Sequence, residues 1–461
     1  MRFQPAEIES APVYARVEEF DSGEGIVLLD CTSANSPELQ QLLEESHQQL
    51  RQRWRRSFGL IDDSDNPSMN LLSNVPAAIV TVRVKDLKNL QATLDSATWF
   101  RVQLPALTSI SENPPTISAT DIEVVPPKEA NKLSAILDMD NWPRVPAPRL
   151  AAVLDAIPPV DGVVVHDVGQ GSANALFDSS GEAVIYFDTG RAGKAGAGMV
   201  RGGMVGKTKV PSAPAGLQLC ACSSPLVVLS HWDLDHWAAA KDGKRELLES
   251  NWVVPSQKIG GTHSTFAALI LKSGGSIFVV KRSSSPKTGM ALSQNVYIKY
   301  GKGKNKSFKD RNDSGLVLTA TINSSSGRHT MFFPGDARYD KCETPPREVD
   351  LLVASHHGAD PGGPLNLPKP KNDNQSRLVY SFGHPNGYKH PTQAALKAHQ
   401  SQGWNDNNLN HCGQNQSSPA GNVRATYSAS RKTWQSIVFP ASSLPTAIGH
   451  FGKIHKETLS S

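Results

Sequence analysis

One segment constrains this chain more than any other. Ser230-His231-Trp232-Asp233-Leu234-Asp235-His236 directly follows the apolar run Pro225-Leu226-Val227-Val228-Leu229. The run reads as a buried strand, and the segment after it as a loop with two histidines and two carboxylates within six positions. In an extended loop, side chains two apart point the same way, so His231, Asp233 and Asp235 converge, with His236 beside them. Neutral imidazole and carboxylate are ligands for divalent ions such as zinc or manganese. The segment is expected to be a metal site. A polar loop without chemistry is the bland alternative.

At 461 residues, 38% of them hydrophobic and 20% charged, the chain has room for two or three domains and ample core. Its 36 Gly and 32 Pro predict many loops. No stretch approaches the roughly 18 apolar residues needed to span a bilayer, so membrane insertion is not expected. The N-terminus lacks the apolar segment of a secretory signal. Cys31, Cys220, Cys222, Cys342 and Cys412 are odd in number and scattered, which argues against a disulfide framework or a zinc ribbon. A reduced, cytoplasmic protein is the expectation. The net charge of +4 hides an asymmetry: residues 1–160 carry 14 Lys/Arg against 22 Asp/Glu, and residues 161–461 carry 33 against 21. The basic C-terminal part favours anionic substrates, nucleic acid among them, although lysine-rich surface also serves solubility.

Residues 1–150 read as a separate α+β module of unknown role. Leu39–Phe58 has helical spacing, and Ala77–Val84, Trp99–Leu104 and Thr120–Val125 read as strands. Pro-rich pieces at 113–115, 126–127 and 143–148 punctuate its exit. From residue 158 to 461 the pattern becomes one of short apolar strands, each ending in a polar or Gly-rich turn. Gly/Lys-rich insertions at 190–215 and 299–311 interrupt it as surface loops. Helix Thr392–Gln400 fits between two of the later strands. Metal-binding residue types recur at the strand ends, where layered α/β folds place their sites.

Seven strand-end pieces stand in order: Asp167-Val168-Gly169-Gln170-Gly171, Phe187-Asp188-Thr189-Gly190, the His231–His236 loop, Asn312-Asp313-Ser314, Pro334-Gly335-Asp336, Ser355-His356-His357-Gly358 and Gly387-Tyr388-Lys389-His390-Pro391. Together, over about residues 160–400, they resemble the metallo-β-lactamase fold, and within it the ComEC-type branch named for the competence protein's hydrolase domain. The resemblance implies an α/β fold, an αββα sandwich, here with the additional N-terminal module. Asp233 stands where most of the superfamily has histidine, as it does in the ComEC-type branch. Ala238-Ala239 stands where a glycine pair is common. The hydrophobic membrane segments of the full competence protein are missing, so only the hydrolase part of its function carries over.

The resemblance also implies roles. His231 and Asp233 hold one metal, Asp235 and His236 a second, and Asp336 bridges them. His356, His357 and His390 supply a closing ligand and a general acid without a unique assignment; the favoured one puts His356 and His390 near the metals and gives His357 the proton for the leaving group. Asp188 supports the metal loop from behind, Asp167 shapes the opening turn, and Asn312 and Ser314 either bind a substrate oxygen or cap a strand. His263, His329, His384 and His411 are expected in loops, with no role. The cofactor is a pair of divalent ions, zinc first and manganese as the alternative, and the catalytic residues are Asp235 and His357. Such a pair activates water and stabilises charge on phosphoryl oxygens. The expected protein is therefore a metal-dependent phosphodiesterase or nuclease acting on DNA. The alternatives are hydrolysis of a small phosphodiester, cyclic nucleotide or lactone, and a binding protein docking a partner through residues 1–150, whose acidic surface pairs with the basic half.

Overall fold

The computed structural model describes residues 12–21, 25–61, 70–85, 98–104, 116–190, 219, 221, 223–242, 245–281, 289–303, 309–324, 327–363, 366–372, 375–382, 389–405, 409–412, 422–428 and 433–439. Most of the Gly/Lys-rich insertion at 190–215 and the centre of that at 299–311 lie outside these residues, as do Cys220, Cys222 and His384. Cys31 and Cys342 are free and buried. The protein is of mixed α/β type and is built on three large sheets.

The first sheet has six strands, in the order Thr116–Ile117, Ala77–Val84, Ile26–Ser33, Pro12–Asp21, Phe100–Gln103 and Ile122–Val124. Pro12–Asp21 alternates: Val13, Ala15 and Val17 pack on one face with Val27 and Val80, while Tyr14 and Arg16 are buried on the other. The single helix expected over 39–58 is two, Pro37–Glu44 and His47–Ser57. Ser46 breaks it with a capping box: its hydroxyl accepts from Gln49 N, and the Gln49 side chain accepts from Ser46 N.

The second and third sheets lie face to face. The eight-stranded sheet runs Ser276–Val280, Asn251–Pro255, Leu226–Val228, Ala183–Thr189, Ala173–Phe177, Gly162–Val165, Asn422–Ser428, Thr433–Phe439. Its first four strands are mutually parallel. The seven-stranded sheet runs Met290–Ser293, Val296–Tyr300, Leu316–Ser324, Gly327–Phe333, Leu351–Val353, Arg377–Ser381, Leu409–Cys412, with the last four parallel. A hairpin joins Leu316–Ser324 to Gly327–Phe333. Val165, Ile185, Phe187 and Val228 from one sheet share a core with Leu318 and Phe333 from the other; the Phe187 and Phe333 rings are 6.1 Å apart. Parallel strands buried on both faces read as continuous apolar runs, which is why these segments stand out in the sequence.

Helix Gly261–Lys272 covers the outer face of the eight-stranded sheet, where Phe266 meets Trp237 and Trp252. The same apolar cluster continues into the N-terminal helices through Leu39, Trp54 and Trp142. Helix Gln393–Ser401, capped by Thr392, packs on the outer face of the seven-stranded sheet with Tyr380 and Trp404. Three of the histidines expected in loops are elsewhere: His263 is in helix Gly261–Lys272, His329 in strand Gly327–Phe333 and His411 in strand Leu409–Cys412. No helix among the described residues is long and apolar enough to cross a membrane.

Candidate metal centre

At the C-terminal ends of the central strands, both sheets release loops toward each other. Ala183–Thr189 carries Asp188 as its penultimate residue, Leu226–Val228 runs into the His231–His236 loop, Gly327–Phe333 into Asp336, and Leu351–Val353 into His356 and His357. Two glycines let the backbones meet. A Cβ at Gly190 would fall 1.5 Å from the Asp235 carbonyl oxygen, and one at Gly335, whose φ is +58°, would fall 2.7 Å from Ser230 Cβ. Asp188, His356 and His357 themselves have positive φ (64°, 48° and 53°), backbone that non-glycine residues adopt only where the surroundings impose it.

Asp188 is wholly buried and accepts three hydrogen bonds, from Ser230 N (2.7 Å), Ser230 Oγ (2.8 Å) and His236 Nδ1 (2.8 Å). Because Ser230 spends its hydroxyl proton on Asp188, its oxygen accepts from His231 Nδ1 at 3.0 Å. The Nδ1 protons of both rings are thereby directed outward, which frees the opposite nitrogens to act as ligands. His231 Nε2, His236 Nε2 and His357 Nε2 are buried without a hydrogen-bond partner. Buried polar atoms are rarely left so, and three converging imidazole nitrogens fit a cation.

Asp336 stands between two sets of these groups. Its Oδ2 faces His231 Nε2 (3.7 Å) and His356 Nε2 (3.5 Å), and its Oδ1 faces His236 Nε2 (3.2 Å) and His357 Nε2 (3.7 Å). On the first side, Asp233 Oδ2 is 3.2 Å from His231 Nε2; on the second, Asp235 Oδ2 is 3.2 Å from His357 Nε2. Donor atoms of His231, His236 and Asp336 lie within 4.8 Å of one another, and so do those of Asp235, His236 and His357. Either group can hold a metal ion. Burial opposes charge on Asp336, but the imidazoles of His236, His356 and His357 outweigh it and hold the carboxyl well below the usual range.

The remaining candidates sit at the margins. The His390 ring is 5.7 Å from that of His356, and burial followed by the neighbouring imidazoles pushes it down to about 3, so it is neutral at physiological pH. Asn312 Nδ2 reaches His356 Nδ1 at 3.5 Å. Ser314 Oγ donates to Arg311 O and accepts from Gln257 Nε2, away from the ligand atoms. Asp167 accepts from Gly169 N (3.3 Å) in the opening turn, which reaches the metal loop through Ser172 N donating to Asp235 O.

Several supporting residues carry no signal in the sequence. Arg311, nearly wholly buried, places Nε 3.5 Å from Asp233 Oδ1 and donates from Nη2 to Glu18 at 2.6 Å. Gln257 Oε1 accepts from Trp232 N, and its Nε2 donates to Arg311 O. Glu18, Asp30 and His263 form a third tight group. There Trp237 Nε1 donates to His263 Nδ1 (3.1 Å), which puts the ring proton on Nε2 and makes that atom a donor to Glu18 (2.7 Å) instead of a metal ligand. A groove of about 450 Å³ near Val153, Ile157, Leu226 and Asn251 opens at the opposite ends of the strands, away from these groups.

No family model matches the sequence, and no curated protein matches it significantly.

Proposed function

We propose that the chain is a dinuclear metal-dependent hydrolase of the metallo-β-lactamase type, ComEC-like, that cleaves phosphodiesters, with DNA as the leading substrate. One observation carries the reading: Asp336 turns one carboxylate oxygen to each of two ligand sets, as a bridging ligand must. His231 and Asp233 would hold one ion, and Asp235, His236 and His357 the other. Two sheets sharing a core beneath the site, with helices on the outer faces, agree with an αββα sandwich. A pair of divalent ions in such a site supplies Lewis acidity and makes water a competent nucleophile near neutral pH. The protein's own part is positional. Asp188 and Ser230 orient the two imidazoles, and Trp232 and Trp237 exclude water beneath the loop. The roles expected of the histidine pair are here exchanged: buried His357 would be a ligand through Nε2, and the more exposed His356, with Nε2 3.5 Å from Asp336, would face the leaving oxygen.

The excess of 12 positive charges over residues 161–461 favours a polyanion. Stripped protein supplied with zinc or manganese is expected to cut circular single-stranded or supercoiled DNA, and Asp235→Ala to lose that cutting. Turnover of bis-p-nitrophenyl phosphate without cutting of DNA would move the substrate to a small phosphodiester. Wild-type rates in the Asp235→Ala protein would end the proposal.

A further inference from the structure

The loop that carries the ligands is tied at both ends to a single carboxylate in the N-terminal sheet. From Asp233 the path runs to Arg311 Nε at 3.5 Å, then from Arg311 Nη2 to Glu18 Oε2 at 2.6 Å. From Trp237, four residues further along the same loop, it runs through Nε1 to His263 Nδ1 at 3.1 Å, and from His263 Nε2 to Glu18 Oε1 at 2.7 Å. The two arms leave from different oxygens of Glu18, so one residue closes the circuit. Asp30, on the neighbouring strand, accepts from Thr262 N (2.7 Å) and holds the helix bearing His263 against the sheet.

Most of the path is buried. Arg311 and His263 are almost wholly buried, and Trp237 stacks on Phe266 with ring centroids 4.1 Å apart. A buried guanidinium needs a counter-charge, because an uncompensated one is strongly destabilising. Glu18 supplies it, and Arg311 in turn offsets the charge of Asp233. Asp233 turns Oδ2 toward His231 and Oδ1 toward Arg311, so the guanidinium decides which oxygen is left for a cation.

We infer that Glu18 is a positioning residue for the metal centre, acting on Asp233 through Arg311 and on Trp237 through His263, and that the N-terminal sheet is thus a working part of the catalytic unit. The inference rests on the metal-site reading proposed above. It concerns where the loop is held, and it assigns to residues 1–150 a duty other than partner docking.

The test is the affinity of the whole 461-residue chain for zinc, measured by competition with a chromophoric chelator, together with the visible absorption of the cobalt-substituted protein. Glu18→Gln keeps the size and the acceptor for His263 but sets an amide against Arg311. It is expected to weaken zinc binding about 10- to 100-fold and to shift the cobalt spectrum, the usual scale for residues that orient ligands. Arg311→Met should do the same, and the double variant should lose no more than the worse single one, because both act through one path. Trp237→Phe cuts only the second arm, keeps its stack on Phe266, and should weaken binding several-fold; it carries the test if Glu18→Gln does not fold. Unchanged zinc affinity and an unchanged cobalt spectrum in Glu18→Gln would overturn the inference while leaving the metal centre standing. A wild-type protein that takes up no divalent ion would instead remove the metal centre, and this inference with it.

Discussion

Ser230 and Asp188 decide which nitrogen of each loop histidine faces inward, and that choice governs how the centre responds to pH. Burial alone would drive the proton from His236. Asp336, Asp188 and Asp235 more than offset it and hold the imidazole protonated well above its ordinary range. A cation at His236 Nε2 must therefore displace that proton. Apparent affinity should rise with pH up to the raised value, by about tenfold per unit for each proton released. Calorimetric titration in two buffers of different ionisation enthalpy counts those protons; a release of zero would contradict the arrangement. Gly190 makes a sharper demand. An added methyl would overlap the Asp235 carbonyl, so Gly190→Ala should push the loop aside and cost metal binding, read by chelator competition. At this scale the sequence was informative wherever a residue type has few other uses, as with the run from His231 to His236. It was silent on Glu18, because a carboxylate alternating with Tyr14 and Arg16 along a strand looks like a solvent-facing edge. Here that face is covered by helix Gly261–Lys272, with His263 bonded to Glu18.

Among the elements, helix Gln393–Ser401 carries a buried histidine whose links lead back to the centre. His399 Nε2 meets Tyr339 Oη at 3.1 Å, and Tyr339 Oη accepts from Ser355 N, the residue before the histidine pair. Burial pushes His399 down to about 4, a change only partly countered by its bond to Ala395 O. A depressed value means the neutral ring is favoured in the fold. Its contribution to stability is complete above the unfolded value of about 6.5 and is lost as pH falls from there toward 4. The loss is on the order of 3 kcal/mol at most. Denaturant midpoints at pH 7 and pH 5 should differ accordingly, and His399→Gln should flatten the difference. A control lies far from the site: Ser46→Ala removes the capping box and should cost about 1 kcal/mol in urea unfolding without altering metal affinity. That box was readable as Ser-x-x-Gln, yet the apolar spacing of Leu42, Leu50 and Trp54 continues through it and hides the break. The strands under the centre were easier to read, since each apolar run stops at a residue with chemistry. The strands Pro12–Asp21 and Ile26–Ser33 have no such marker.

Across the whole molecule, the N-terminal helices and the outer face of the eight-stranded sheet share one apolar cluster, in which Leu39 and Trp54 belong with Trp252 and Phe266. Removing residues 1–150 would lay those aromatics bare, and such a patch drives aggregation. The truncated chain should be recovered as aggregate by size-exclusion chromatography, whereas a monomer with native zinc affinity would show that the N-terminal part is dispensable. The opposite charges of the two parts were visible in composition. Which few of those charges meet, Glu18 with Arg311 among them, depends on tertiary neighbours 293 positions apart and has no local sign.

The candidate ligands come from both central sheets: His231, Asp233, Asp235 and His236 follow a strand of one, and Asp336 and His357 follow strands of the other. An ion seated there is a rivet through two plates. Shear between the sheets would have to break coordination before it could separate their faces, so the loaded protein should be stiffer as well as more stable. At a thousandfold excess over the dissociation constant, a bound ion would add about 4 kcal/mol. Chelation would then be felt as slackness in the sandwich itself, seen as faster amide exchange at core residues such as Ile185, Phe187, Met331 and Phe333.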